Sequence, residues 1–286
     1  MDFEKKHQED LQRLRGFRLL DDDFMTKVFE DISCAELLLR IILNDEGIRV
    51  LEAHSQRGIK NLQGRSVKLD ILAVDSHNRV FNVEVQRSDR GAGAKRARYN
   101  SALIDANVTE PGDQYEDLNE TFVIFITEND VMKAGLPIYH IDRVVRETGK
   151  LFEDEEHIIY VNSQIKDETK LGRLMHDFSC TNAKDMHNKV LADRVRYFKE
   201  DERGVEIMCR EMEIMRNQAH EEGIEKGRIM QLIKQVCVKM QKFSSAEEVA
   251  NDLVEQDVPL IQKIMNVAPD FAPDYNVNDI YNALKL

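Results

Sequence analysis

The segment from residue 68 to residue 86 constrains the fold most, because it has the pattern of a β-hairpin. Residues 68–74 are an almost continuous apolar run, and residues 80–86 alternate between apolar and polar side chains. Between them stands Asp-Ser-His-Asn, a composition typical of a turn, so the two strands are expected to pair antiparallel. The alternation gives the second strand an apolar face for the core and a polar face that carries Glu84.

Asp70 and Glu84 are the two acidic side chains within these strands. Asp70 interrupts an apolar strand, where an ionised carboxylate is costly unless it is paired, solvated or bound to a metal. The short turn would bring it close to Glu84, and a hard divalent cation such as Mg²⁺ relieves the repulsion between two neighbouring carboxylates. The alternative is that both residues face solvent and pair with Lys68 or Arg87. Spacing alone leaves both interpretations open.

The net charge of −13 argues against a protein that coats nucleic acid with a uniformly positive surface. Residues 57–98, however, contain ten basic and four acidic side chains, a local net charge of +6 that surrounds the acidic pair. No apolar run is long enough for a membrane span, and the charged N-terminal segment is unlike a secretory signal. These features predict a cytoplasmic protein.

The cysteines and histidines give no metal-binding pattern by spacing. There is no C-x-x-C pair and no H-E-x-x-H motif, so we expect reduced, mostly buried thiols and no zinc site. The four cysteines are Cys34, Cys180, Cys209 and Cys237.

Hydrophobic periodicity predicts a first domain over residues 1–204 that begins with the order αβββαβ. The expected elements are a helix at 23–43, strands at 48–53, 68–74 and 80–85, a helix at 91–107, strands at 122–126, 137–145 and 158–161, and helices at 170–178 and 185–198.

Residues 205–243 have the pattern of a long helical connector. Apolar side chains three and four residues apart form a stripe along it, and Gly223 and Gly227 interrupt the stripe. Each glycine weakens a helix by about 1 kcal/mol relative to alanine, which predicts a flexible or kinked point. The stripe predicts a homodimer through this helix, or packing back onto the first domain.

Residues 244–286 predict a small helical module. A capping box at Ser244 and Glu247 would start its first helix, and Pro259 would start the second.

Several motifs occur together with Asp70, Glu84-x-Gln86 and the basic helix that follows. They are Phe24-Met25-x-x-Val28-Phe29, Glu36-Leu37-Leu38-Leu39-Arg40, Gly64-Arg65-Ser66-Val67-Lys68-Leu69-Asp70, Asn82-Val83-Glu84-Val85-Gln86-Arg87, Lys95-Arg96-Ala97-Arg98-Tyr99-Asn100, Gly135-Leu136-Pro137-Ile138-Tyr139-His140 and Met175-His176-Asp177-Phe178. Over about residues 20–215 this combination resembles the PD-(D/E)XK nuclease family transposases, which are related to the recombination-promoting nucleases. The resemblance implies an α/β fold with a restriction-endonuclease-like αβββαβ core and a mixed sheet, followed by a helical C-terminal extension. It also implies metal-dependent cleavage of DNA and a bacterial source.

The resemblance assigns Asp70 and Glu84 as ligands of Mg²⁺, or of Mn²⁺, with the backbone carbonyl of Val85 as a further oxygen ligand. Gln86 stands where many members carry lysine. Glutamine cannot offer positive charge to the developing phosphorane, so it could at most orient water or a phosphate oxygen. Lys95, at the start of the next helix, is the candidate for the missing charge, and the alternative is a phosphate-contacting or solvated lysine.

Glu36 resembles the acidic residue that some members place on the first helix to hold a metal-bound water; the alternative is an exposed helical carboxylate. The resemblance also makes Arg87, Arg96 and Arg98 candidates for contacts to the DNA backbone that carry no sequence information.

The expected activity is that of a magnesium-dependent DNA endonuclease. One alternative is an RNase-H-like recombinase with Asp70, Asp75 and Glu84 as ligands, which the E-x-Q pattern does not suit. The other is a DNA-binding or assembly module that kept the nuclease fold and lost turnover with the lysine. The presence of both Asp70 and Glu84 favours the nuclease.

Overall fold

The computed structural model describes residues 3–59, 61, 64–87, 89–109, 112 and 114–284. Its α-helices are α1 (Phe3–Gly16), α2 (Asp22–Phe29), α3 (Ile32–Leu43), α4 (Ala94–Val108), α5 (Lys170–Ser179), α6 (Lys189–Glu200), α7 (Glu202–Lys239), α8 (Ala246–Leu253), α9 (Val258–Val267) and α10 (Val277–Leu284). Its strands are β1 (Val50–Ile59), β2 (Val67–Asp75), β3 (Val80–Gln86), β4 (Thr121–Thr127), β5 (Ile138–Ile141), β6 (Val144–Val145), β7 (Lys150–Leu151) and β8 (Glu156–Asn162). No helix in these described ranges has the length and apolar character needed to cross a membrane.

Six strands form one mixed sheet in the order β1-β2-β3-β4-β8-β5. The first three pair antiparallel, β3, β4 and β8 run parallel, and β5 pairs antiparallel at the edge. Every residue of β4 is buried, as its continuous apolar sequence predicts for a strand covered on both faces. With α3 before β1 and α4 between β3 and β4, the sheet has the predicted restriction-endonuclease-like αβββαβ core.

The helix predicted over residues 23–43 is two helices. Asp31 stands between α2 and α3, and its carboxylate accepts hydrogen bonds from the backbone N–H groups of Ser33 and Cys34. An aspartate in this N-cap position starts a new helix and ends the preceding one. The amphipathic pattern continues across the cap, so periodicity alone did not reveal the break.

The chain divides into two compact units, Met1–Cys209 and Arg210–Leu286. The helix α7 is continuous through Gly223 and Gly227. In the second unit, the buried part of α7 from Ile229 to Cys237 shares one hydrophobic core with α8, α9 and α10. The division into a domain at 1–204, a connector at 205–243 and a module at 244–286 stays a prediction.

The capping box of α8 lies one residue later than predicted. The hydroxyl of Ser245 accepts from the N–H of Glu248, and the Glu248 carboxylate accepts from the N–H of Ser245. Ser244 and Glu247 have the same spacing, but a helix that starts after Ser245 buries Ala246, Val249 and Ala250 in the core. Pro259 lies in the first turn of α9, as predicted.

Lys199 on α6 binds three backbone carbonyls of two other segments of the first unit, residues 15–17 and Thr181. Its ammonium donates hydrogen bonds to the carbonyls of Arg15 (3.2 Å), Phe17 (2.5 Å) and Thr181 (2.6 Å). It also lies over the ring of Phe24, 5.1 Å from the centroid. These contacts hold the segment before α2 against α6.

We expect Lys199→Met to lower the free energy of unfolding by about 2–3 kcal/mol, because three carbonyls lose a charged donor that methionine cannot replace. Urea unfolding followed by circular dichroism measures the change. Lys189→Met, an exposed position on the same helix, is the control and should stay within about 0.5 kcal/mol of the parent. Equal effects of the two substitutions would contradict this role of Lys199.

Candidate functional site

The acidic pair lies where the β2–β3 ladder ends. The paired positions finish at Ile71 and Val83, and Asp70 and Glu84 are the next residues along the two strands. Here the side chains bridge the strands: the Glu84 carboxylate accepts from the N–H of Asp70 (3.3 Å), and the Asp70 carboxylate accepts from the N–H of Val85 (3.1 Å). The two carboxylates are thereby held opposite each other.

Burial and mutual repulsion act strongly on this pair. Glu84 is fully buried and Asp70 is half-buried. Burial, reinforced by the neighbouring Glu84, raises the pKa of Asp70 to about 8, and burial also raises the pKa of Glu84. The alternative of two solvent-exposed carboxylates paired with Lys68 or Arg87 is therefore wrong for Glu84, which has neither of these partners in the described structure.

A buried amide network orients Glu84. The side-chain N–H₂ of Asn82 donates to Glu84 Oε1 (3.0 Å) and to the carbonyl of Ile71 (3.3 Å). The side chain of Asn100, on α4, donates in turn to Asn82 Oδ1 (3.2 Å). Sequence reasoning missed this network, although Asn82 stands two residues before Glu84 and therefore on the same face of the strand.

Arg96 supplies the positive charge beside Glu84. One guanidinium nitrogen donates to Glu84 Oε2 at 2.5 Å, and the other donates to the carbonyl of Gly91 at 3.0 Å. Lys95 was expected to fill this place, but its side chain is exposed and makes no ion pair or hydrogen bond with the described residues. Adjacent residues of a helix point about 100° apart, so α4 can turn only one of the two towards the sheet. Arg98 is also exposed.

Gln86 packs against the turn that anchors Arg96. A Cβ atom added to Gly91 would lie 1.7 Å from Oε1 of Gln86, so the glutamine amide occupies the space that the glycine leaves open. Gln86 thus lies beside the backbone that holds the Arg96 guanidinium.

Two other expected residues are not brought to the acidic pair. Glu36 accepts from the N–H of Val50 (3.0 Å) and pairs with Arg40 (2.5 Å), so it anchors the start of β1. Arg87 forms ion pairs with Asp21 (2.9 Å) and Glu128 (3.4 Å). The alternative of an exposed helical carboxylate does not describe Glu36 either, because its carboxylate accepts the hydrogen bond from β1.

Asp22, the first residue of α2, is a third acidic group near the pair. Its negative charge contributes to the raised pKa of Asp70, and burial first, with Asp23 and Glu84 adding to it, raises the pKa of Asp22 itself. The signal in the sequence is the run Asp21-Asp22-Asp23 at the start of α2, which sequence reasoning did not connect with the acidic pair.

The donor atoms fit a hard divalent cation. The N–H and C=O groups of an extended residue point to the same side, so the Val85 carbonyl faces the strand of Asp70, as its N–H does. Carboxylate and carbonyl oxygens are the ligands that Mg²⁺ and Mn²⁺ prefer. A cation here would also relieve the repulsion that raises the pKa of Asp70.

A family model described as PD-(D/E)XK nuclease family transposase matches residues 36–221, about two thirds of the chain. The match includes Asp70, Glu84 and Arg96, whereas Asp22 lies outside it. No curated protein and no solved structure matches the chain.

We expect Asn82→Leu to reduce the free energy of unfolding by about 2 kcal/mol, because Glu84 and Asn100 each lose a buried hydrogen-bond partner. Chemical denaturation measures the loss. Asn266→Leu changes an exposed amide on α9 and should have little effect. A parent-like stability of Asn82→Leu would show that the amide network does not hold the carboxylate.

Proposed function

Because this chain belongs to the PD-(D/E)XK nuclease family transposases, we propose that it is a divalent-metal-dependent DNA endonuclease. The observation that carries this proposal is the pair of carboxylates held opposite each other at the end of the β2–β3 ladder. Asp70, Glu84 and the carbonyl of Val85 would hold Mg²⁺, with Mn²⁺ as a substitute. Since its substrate would be DNA, we place the protein in the cytoplasm.

Bound Mg²⁺ would supply a water of lowered pKa and positive charge next to the scissile phosphate. The chain itself keeps the two carboxylates in position. The Asp70 N–H and the Asn82 amide fix one oxygen of Glu84, and the Val85 N–H fixes one oxygen of Asp70. Each carboxylate retains lone pairs for a cation, because a carboxylate accepts about four hydrogen bonds.

Arg96 would provide the charge that Gln86 lacks. Its guanidinium neutralises Glu84 and is anchored by the Gly91 carbonyl. Arginine binds phosphate oxygens through parallel N–H groups, so the same side chain can contact the scissile phosphate. Lys95 and Arg98, exposed on α4, would contact the DNA backbone on either side.

The homodimer is also a proposal. Met208 and Met212, two members of the predicted stripe on α7, are buried within the single chain. Four other large apolar side chains of α7 are exposed and would be available to a second copy: Ile207 and Ile214, which lie one heptad apart, Ile224 and Val238.

The alternative function is DNA binding or assembly without turnover. Both functions would use the basic side chains of α4 to contact DNA. DNA binding without turnover would need no cation at the acidic pair. Plasmid cleavage and metal binding therefore separate the two functions.

We expect Asp70→Asn and Glu84→Gln each to abolish Mg²⁺-dependent nicking of supercoiled plasmid and to remove Mn²⁺ binding measured by calorimetry, because each loses a charged oxygen ligand. Glu36→Gln is the matched control, and it should cleave at the parental rate because Glu36 contacts β1 instead. DNA binding by the parent chain without cleavage or metal binding would establish the alternative.

We also expect Arg96→Met to lower the cleavage rate about 100-fold at saturating DNA, because the loss of a charge beside the reacting phosphate has effects of this size. Lys95→Met should weaken DNA binding and reduce the slope of the logarithm of the binding constant against the logarithm of salt concentration by about one. Its cleavage rate at saturating DNA should be nearly unchanged. Single-turnover kinetics with circular dichroism as a folding control make the comparison. A larger loss of cleavage rate in Lys95→Met than in Arg96→Met would show that Lys95, not Arg96, provides the charge beside the phosphate.

A further inference from the structure

A second cluster of metal-binding side chains lies at the C-terminal end of α5, away from the acidic pair in sequence. His176, Asp177 and Cys180 each offer one ligand atom, and these three atoms lie within 4.8 Å of one another. The Sγ atom of Cys180 is 3.5 Å from Nδ1 of His176, and that nitrogen is 3.7 Å from Oδ1 of Asp177. Histidine and cysteine stand four residues apart, so one helical turn brings them together.

Two of these separations are close to the edges of a zinc tetrahedron. With bonds of about 2.3 Å to sulfur and about 2.1 Å to nitrogen and oxygen, tetrahedral ligands lie about 3.6 Å apart for sulfur and nitrogen and about 3.4 Å apart for nitrogen and oxygen. The observed distances of 3.5 and 3.7 Å need only small side-chain adjustments.

The Asp177 carboxylate needs a counter-charge. It is fully buried and accepts hydrogen bonds from the N–H of His187 (2.7 Å) and from the N–H and side-chain amide of Asn188 (2.9 and 2.7 Å). Within the described part of the chain, no lysine or arginine forms an ion pair with it, and the nearest basic group is the His176 ring. A buried carboxylate without a cation is costly, and a bound divalent ion would compensate it.

A catalytic cysteine–histidine pair is the competing interpretation. Such a pair needs a thiol that ionises easily. Burial, with the charges of Asp177 and Asp185 adding to it, instead raises the pKa of the Cys180 thiol to about 11. The unmetallated thiol is therefore a poor nucleophile, whereas zinc displaces a thiol proton outright.

We propose that Nδ1 of His176, Oδ1 of Asp177 and Sγ of Cys180 bind one zinc ion. The Cys180 thiol would release its proton to solvent on binding. The fourth position would lie on the side of the exposed His187, whose ring centroid is 4.6 Å from that of His176. Mixed nitrogen, sulfur and oxygen donors select zinc over magnesium.

The site would fasten the connection between α5 and α6. Asp177 already holds the backbone of residues 187 and 188, and the carbonyl of Thr181 accepts from Lys199. The expectation of no zinc site considered only cysteine pairs and H-E-x-x-H, and it did not weigh a histidine and a cysteine one helical turn apart.

Cobalt substitution tests this proposal on the full chain. We expect the metal-free Asp70→Asn variant, in which the acidic pair no longer competes for the ion, to bind one Co²⁺ per chain, with a thiolate-to-cobalt charge-transfer band and visible bands of a tetrahedral ion. One equivalent of Zn²⁺ should remove both, and the parent should show the same bands. Cys180→Ser should abolish the charge-transfer band. His176→Gln should weaken Co²⁺ binding more than about tenfold, because loss of a direct ligand should cost at least as much affinity as loss of a residue that only contacts a ligand. Cys209→Ser, a partly exposed cysteine elsewhere, is the control and should retain the spectrum.

Thermal melting gives a second readout that is independent of DNA cleavage. The Asp70→Asn background removes the proposed Mg²⁺ site, so in it Zn²⁺, but not Mg²⁺ at the same concentration, should raise the melting temperature. This rise should persist when Cys209→Ser is added and should disappear when Cys180→Ser is added. A parent without the charge-transfer band, or a band that survives in Cys180→Ser, would overturn the proposal. If either variant fails to fold, the remaining one and the parent spectrum still decide.

Discussion

The Glu84 carboxylate is buried opposite Asp70, and its burial constrains both the pairing of β2 with β3 and the orientation of α4. A buried carboxylate costs several kcal/mol unless hydrogen bonds and opposite charge compensate it. Compensation comes from three elements: the Asp70 N–H on β2, the Asn82 amide on β3 and the Arg96 guanidinium on α4. The strand register and the rotation of α4 must therefore both be correct before Glu84 can be buried.

One arginine does not balance the acidic groups at this point. Asp22 adds a third negative charge near Asp70 and Glu84, and burial further disfavours their ionised forms. An additional cation would therefore lower the electrostatic cost of this site, of which Arg96 and the hydrogen bonds already offset a part. Strongly shifted pKa values of this kind are common where ionisable groups are functional.

The two clusters of the first unit differ in the metal that their donors suit. The acidic pair offers only oxygen atoms, which Mg²⁺ and Mn²⁺ prefer, and it lies at the end of the β2–β3 ladder. The group at the end of α5 combines imidazole nitrogen, thiol sulfur and a buried carboxylate, the preference of zinc. Donor chemistry would thus keep a catalytic ion and a structural ion apart in one fold.

Local patterns predict the hairpin, the αβββαβ order, the buried strand β4 and the nearness of Asp70 to Glu84. These follow from periodicity and from the short turn between two strands, which need no knowledge of distant residues. Spacing left the role of the two carboxylates open, and their assignment as metal ligands came from the family resemblance. Where two adjacent residues could each fill a role, packing between distant parts of the chain selects one of them. The rotation of α4 places Arg96 rather than Lys95 beside Glu84. The burial of Ala246 places the helix cap at Ser245 rather than Ser244. Glu36 accepts a hydrogen bond from the start of β1, and Asp22 lies near the acidic pair. Local patterns do not encode such contacts, because they depend on the packing of residues far apart in the chain.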